Sequence, residues 1–273
     1  MSLRVTSTAI RTFDGLNLAG TAVMPEHTSG RALVLVHGGG VTREEAGFFA
    51  RLADGVAEAG VASLRFDLRG HGESDGDQKD LTLSAVLNDI NAAIEHVTEL
   101  SDAKAVSLLG VSFAGGICGY FAAKRPGLVD RLVLGNPLFD YKKRFVADKP
   151  YWRDDRIDEE AGKALAAAGF VAHSPSFRLG RALLNEVFWL QPRAVIAEIQ
   201  APTLIVHGTK DTFIPVESSR SAARQLKCVH KLVEIEGAQH GFAVHDDPTY
   251  ADPRSQEWQA FVIRTVVDWL TCE

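Results

Sequence analysis

The stretch Leu108-Leu109-Gly110-Val111-Ser112-Phe113-Ala114-Gly115-Gly116 lies between a predicted strand, Ala105–Val111, and a predicted helix, Ala114–Ala123. A serine at such a junction reads as a nucleophile elbow. The chain turns sharply, the hydroxyl is pushed out at the carboxyl end of the sheet, and small neighbours permit the tight backbone. The usual pattern is G-x-S-x-G. Here Ala114 takes the fifth position and two glycines follow it. Read in isolation, the same residues could be a glycine-rich turn whose serine only caps a helix.

The flanking sequence decides the fold class. Ala32–Val36 (ALVLV) is wholly apolar, as a strand covered on both faces requires. Thr42-x-x-Glu45 reads as a capping box opening a helix that carries Phe48, Phe49, Leu52, Ala53 and Val56 on one face and stops at Gly60. Strand Val61–Phe66 follows, and then a helix opened by Thr82 with Leu83, Val86, Leu87, Ile90, Ile94 and Val97 at helical spacing. Arg131–Leu134 reads as strand. Thr203–Val206, Pro215–Leu226, Lys231–Ile235 and Gln256–Leu270 then read as strand, helix, strand and helix. Val5–Phe13 and Leu16–Met24 flank Asp14-Gly15, a hairpin turn signal. Strand–helix alternation predicts an α/β fold, with a mostly parallel central sheet and helices on both faces. The alternation stops between Phe139 and about Gln200. Residues 1–138 and 201–273 are therefore expected to form the core domain, and 139–200 an inserted cap.

A serine needs a base, and the base needs an orienting acid. With Ser112 as nucleophile, the acid and base should follow in the order Ser, Asp, His, each after a later strand. Asp211 follows Thr203–Val206 in His207-Gly208-Thr209-Lys210-Asp211, and His240 follows Lys231–Ile235 in Gly237-Ala238-Gln239-His240-Gly241. Asp140, after Arg131–Leu134, is the competing acid. The glycines of Val36-His37-Gly38-Gly39-Gly40 let backbone N–H groups approach a developing oxyanion. The expected pair is the amides of Gly39 and Phe113. No Lys-Ser/Thr pair follows these glycines, which argues against a phosphate loop. Arg69-Gly70-His71-Gly72-Glu73-Ser74-Asp75-Gly76 has the wrong spacing for a dinucleotide fingerprint and reads as a shaped turn with a structural His71.

These features resemble the α/β-hydrolase superfamily along nearly the whole chain. Within it the layout is similar to the bacterial cinnamoyl/feruloyl esterase group. The resemblance rests on His37-Gly38-Gly39, on Ser63-Leu64-Arg65-Phe66-Asp67-Leu68-Arg69-Gly70-His71-Gly72-Glu73-Ser74, on the elbow, on Asp211 in a His-Gly-Thr-x-Asp turn and on His240. Such esterases often carry Phe where this chain has Gly39 and Gly where it has Ala114, departures that bear on substrate and not on fold. The resemblance implies a serine esterase working through an acyl-enzyme on a small or aromatic ester. Thioester, lactone and C–C bond cleavage fit the same machinery, and a non-catalytic ligand receptor on the same fold is the reading from another class.

In this family the inserted segment forms a cap over the site. Nine of the 22 aromatic residues fall between Phe139 and Trp189, about twice an even share. They suggest an apolar substrate pocket, with Trp152 and Trp189 as the substrate-binding candidates; a small hydrophobic core within the cap itself is the alternative for about half of them. Lys142-Lys143-Arg144 reads as a solvated charge run, with attraction of an anionic substrate as the alternative.

Composition narrows the partners. The net charge of −6 lacks the basic face that nucleic acid or an anionic membrane wants. Cys118, Cys228 and Cys272 are scattered, so no disulfide framework, zinc site or other metal site is indicated, and no cofactor is called for. With no apolar run of membrane-spanning length and no apolar signal core in the first twenty residues, a cytoplasmic setting is expected. The expected partner is a small-molecule ester; a homodimer is compatible with this reading.

Overall fold

The computed structural model describes residues 3–272. The chain opens with the expected antiparallel hairpin, β1 (Arg4–Arg11) and β2 (Asn17–Met24). It continues through β3 (Arg31–Val36), α1 (Phe48–Glu58), β4 (Val61–Phe66), α2 (Leu83–Ser101), β5 (Ala105–Val111), α3 (Phe113–Lys124) and β6 (Leu132–Gly135). Residues 139–200 then interrupt the alternation with structure of their own. They hold a two-residue hairpin, β7 (Trp152–Arg153) with β8 (Arg156–Ile157), then α4 (Glu159–Ala168), a second hairpin, β9 (Phe170–Ser174) with β10 (Phe177–Gly180), and α5 (Arg181–Glu186). The alternation resumes with β11 (Thr203–Gly208), α6 (Glu217–Gln225), β12 (His230–Ile235) and α7 (Pro253–Thr271).

One eight-stranded sheet runs β1-β2-β4-β3-β5-β6-β11-β12. Only β1–β2 and β2–β4 are antiparallel; the other pairs are parallel. Strand β3 shows why its sequence is apolar from Ala32 onward. Ala32, Val34 and Val36 enter the core under α2 and α3, while Leu33 and Leu35 enter the core under α1 and α7. Burial of a Leu or Val side chain is worth roughly 1.5–3 kcal/mol, so every position of such a strand selects for an apolar residue. Among the described residues no helix is long and apolar enough to cross a membrane.

Local signals place the helices. Thr82 caps α2, its hydroxyl accepting from the Ala85 amide at 3.0 Å. Gly60, just past the end of α1, takes φ 80°. The capping box expected at Thr42–Glu45 does not form. The helix starts later, at Phe48, and Glu45 turns inward to the end of β3 instead.

The turn Arg69–Gly76 is a structural clasp, as its spacing predicts. The Arg69 guanidinium pairs with Asp89 and Asp14. The buried Asp67 carboxylate accepts from the Arg43 amide at 2.7 Å and the Glu73 amide at 3.0 Å. His71 Nε2 accepts from the Gly40 amide at 3.2 Å, which ties this clasp to the glycine loop after β3.

Candidate active site

Ser112 sits between β5 and α3 with φ 51° and ψ −119°, a conformation costing a non-glycine residue on the order of 1–3 kcal/mol. Neighbouring contacts over-determine it. The Ser112 amide donates to the Gly135 carbonyl at 2.9 Å, and its own carbonyl accepts from the amides of Gly115 and Leu138. A Cβ on Gly110 would lie 2.5 Å from Cys118 Sγ, and one on Gly116 would strike the Leu138 carbonyl. One on Gly115 would lie 2.6 Å from Pro137 Cβ, so the tight backbone approaches after the serine fall on the two glycines that follow Ala114. Ala114 itself fits, fully buried. The buried Tyr141 hydroxyl donates to the Phe113 carbonyl and accepts from the Ile117 amide at 3.1 Å, pinning the first turn of α3.

Strand ends bring the other two residues to this serine. Asp211 follows β11, and its Oδ1 accepts from the Phe213 and Ile214 amides at 2.8 and 2.9 Å. Its Oδ2 faces His240 Nδ1 at 2.7 Å, and His240 Nε2 faces Ser112 Oγ at 2.9 Å. Asp211 accepts on both oxygens, so the imidazole carries its proton on Nδ1 and Nε2 is left to accept from the serine hydroxyl. Burial works to raise the Asp211 pKa, but hydrogen bonds from His207 and His240 and the backbone amides outweigh it and hold the carboxyl well below the usual carboxylate range. Asp140 takes no part: it caps the Lys143 amide at 2.9 Å and pairs with Arg193 at 3.0 Å.

The glycine loop after β3 lies against the serine. A Cβ on Gly38 would sit 3.2 Å from the Ser112 Cβ, and one on Gly39 would enter the Phe177 ring at 2.5 Å. Among the described residues the Gly39 amide has no acceptor. The Phe113 amide has none either, because the first residue of a helix has no carbonyl a turn behind it. Gly39 and Phe113, each with an unpartnered amide, line the same cavity as Ser112.

Two cavities meet at Gly39, Ser112 and His240. The smaller, of about 130 Å³, is bounded by Glu45, Phe48, Asn136 and Tyr250. The larger, of about 210 Å³, is walled by Phe113, Leu138, Phe145, Phe177, Phe213 and Ile214, with Arg144 and His173. Aromatic residues from 139–200 do line it, but not the two tryptophans singled out from the sequence. Trp152 packs on Phe188, with ring centroids 6.0 Å apart, and Trp189 is 89% exposed; neither bounds either cavity. The short β7–β8 hairpin and the turn after α5 put them away from Ser112. Phe145 and Phe177 face it instead, joined by Phe213 from the loop after β11. Nothing in the aperiodic pattern of the segment distinguishes these faces.

Sequence reasoning also missed Glu45. Its carboxylate oxygen accepts from the Gly38 amide at 2.6 Å, next to the serine. Burial pushes this carboxyl up to about 7, against the Gly38 N–H and the charge of a protonated His240, which favour the ionised form. A carboxyl raised in this way binds its proton more tightly in the folded state. Its contribution to stability is complete below about 4.5 and lost as the pH rises through about 7. Between pH 5 and 8 the protein should therefore lose roughly 3 kcal/mol relative to Glu45→Gln, read by urea unfolding at both pH values. Parallel pH dependences in the two proteins would show that the carboxyl is not held neutral.

The sequence relations agree with this architecture. Residues 33–251 match the alpha/beta hydrolase family. A monoacylglycerol lipase of Mycolicibacterium smegmatis is 30% identical over 208 residues, covering 69% of this chain and 72% of that protein. Among solved structures, Est1E from Butyrivibrio proteoclasticus with ferulic acid bound superposes with a TM-score of 0.75 at 22% identity, over 95% of this chain and 99% of that one. A monoacylglycerol lipase of Paleococcus ferrophilus does so with a TM-score of 0.63 at 22% identity, over 99% and 98%. At that identity both show a shared fold alone. A match across most of the chain, with strand order and turn placement to suit, makes this protein a member of the alpha/beta hydrolase family.

Proposed function

We infer that the protein is a serine hydrolase that cleaves a carboxylic ester through an acyl-enzyme. The observation that carries this reading is the unbroken hydrogen-bonded line from Asp211 through His240 to Ser112. Ser112 Oγ attacks the carbonyl carbon while His240 Nε2 takes its proton. Asp211 holds the imidazole in the right tautomer and stabilises its charged form. The amides of Gly39 and Phe113 receive the oxyanion, each such donor being typically worth roughly 10²–10³ in rate. His240 then protonates the leaving alcohol. In the second half it activates water against the acyl-serine, and Ser112 leaves with its proton restored.

Residues 139–200 act as a cap in this reading, since Phe145, His173 and Phe177 close the larger cavity over the serine. The two cavities divide the ester between them, one taking the acyl group and the other the alcohol. The monoacylglycerol lipase among the relatives favours an ester as the bond cleaved; thioester, lactone and C–C bond cleavage use the same machinery. A fluorophosphonate probe should label the protein stoichiometrically, with the label on the peptide bearing Ser112. The same protein should hydrolyse 4-nitrophenyl acetate with turnover, not a single burst. A protein that takes no label and turns over no ester would be a ligand-binding member of the fold.

A further inference from the structure

The larger cavity contains an uncompensated charge. Among its walls Arg144, next to Phe145 in the chain, is the one residue carrying a permanent charge. The neighbouring bases of the same segment are neutralised: Lys142 pairs with Asp155 at 2.6 Å, Lys143 with Asp148, and Arg193 with Asp140 at 3.0 Å. Arg144 has no ion-pair partner among the described residues, and it stays half-exposed. The charge run is thus split by the fold into two solvated lysines and one cavity arginine.

A second basic side chain, Lys149, adds to the positive field. It has no ion pair among the described residues, and burial together with the Arg144 charge lowers its pKa. His173 lines the same cavity, edge-on against Phe145 at 5.0 Å, with its Nδ1 buried and unpartnered. Burial and the charges of Lys149 and Arg144 push this imidazole down to about 4, so it is neutral near pH 7.

Resting on the reading of Ser112 as nucleophile, we propose that the group filling the larger cavity is an aromatic or similarly apolar body ending in a carboxylate, which Arg144 binds. At about 210 Å³ the cavity has room for one ring and a polar terminus; an apolar cavity of about 150 Å³ accepts benzene. A carboxylate brought against aromatic walls needs a cation to offset its desolvation. A guanidinium supplies two parallel donors for it. A neutral group of the same shape leaves those donors unpaired, which is how a polar site rejects an isostere.

Two matched pairs of esters test this on the full chain. Methyl hydrogen terephthalate against methyl 4-carbamoylbenzoate places the charge on the acyl side. 4-Acetoxybenzoate against 4-acetoxybenzamide places it on the alcohol side. In one of the pairs the carboxylate should be preferred by about 10–100-fold in kcat/KM. Arg144→Gln should bring that ratio close to one, and Arg144→Lys should keep part of it. Equal or inverted preference in both pairs, or a preference that survives Arg144→Gln, overturns the proposal. If no ester is turned over, including 4-nitrophenyl acetate, the serine-hydrolase reading fails on its own account. The anion site is then read by calorimetry on the Ser112→Ala protein. Terephthalate should bind at least tenfold more tightly than terephthalamide, and the difference should vanish with Arg144→Gln added. Equal affinities there overturn the proposal as well.

Discussion

Replacing Ser112 with alanine is expected to lower kcat by on the order of 10⁵–10⁶ and to abolish fluorophosphonate labelling. The loss is large because the three side chains act as a unit: without Oγ, His240 has no proton to take and Asp211 no charge to stabilise. What survives is binding and the pair of amides. The fold should not notice. Ser112 Oγ makes one hydrogen bond, to His240, while the contacts that hold the elbow are made by the Ser112 backbone and by Gly110 and Gly116. Alanine keeps the strained φ of 51°, so urea unfolding of this variant should match the wild type within about 0.5 kcal/mol. Ser112→Gly should be equally inactive and more stable, because glycine adopts that φ without penalty. A Ser112→Ala protein that kept more than a few per cent of its activity and still took the label would move the nucleophile elsewhere.

Asp211→Asn should cost about 10⁴ in kcat, whereas Asp140→Asn should cost less than a few-fold. The geometry dictates the orientation of the new amide. Two backbone N–H groups, from Phe213 and Ile214, point at Oδ1, so the carbonyl of an asparagine must face them. Its NH₂ then faces His240 Nδ1, where the aspartate presented an acceptor. The imidazole is driven to the other tautomer, with its proton on Nε2 facing Ser112 Oγ, and it can no longer act as base. Asp140, exposed in part and paired with Arg193, touches none of this. Steady-state kinetics on the two variants decides between them, and the opposite ranking would transfer the acid to Asp140.

The strands and the three catalytic candidates are legible in the sequence. Strand β3 is buried on both faces, so its unbroken apolar run Ala32–Val36 suffices to identify it. The elbow is a local event, a strand turning into a helix within nine residues, and its requirements for small side chains fall on consecutive positions. Asp211 and His240 were placed by the same logic, since parallel strands all deliver their trailing turns to one end of the sheet. Chain order therefore converts directly into proximity.

Tertiary structure decided everything that depends on a partner distant in sequence. Thr42-x-x-Glu45 has the pattern of a capping box, yet Glu45 bonds the Gly38 amide, because its backbone enters the left-handed region and aims the carboxyl at the end of β3. In residues 139–200 no long periodic pattern marks an inner face. Composition announced an aromatic pocket but not which rings would line it, and it could not anticipate Phe213 from outside the segment. Lys142, Lys143 and Arg144 look alike as a string of charges. They differ only because Asp155 and Asp148 stand where they can neutralise two of them, while the third is left facing the cavity beside Ser112. A side chain's chemistry is written at its own position, but whether that chemistry is spent on a neighbour or left free for a ligand is set by residues the fold brings to it.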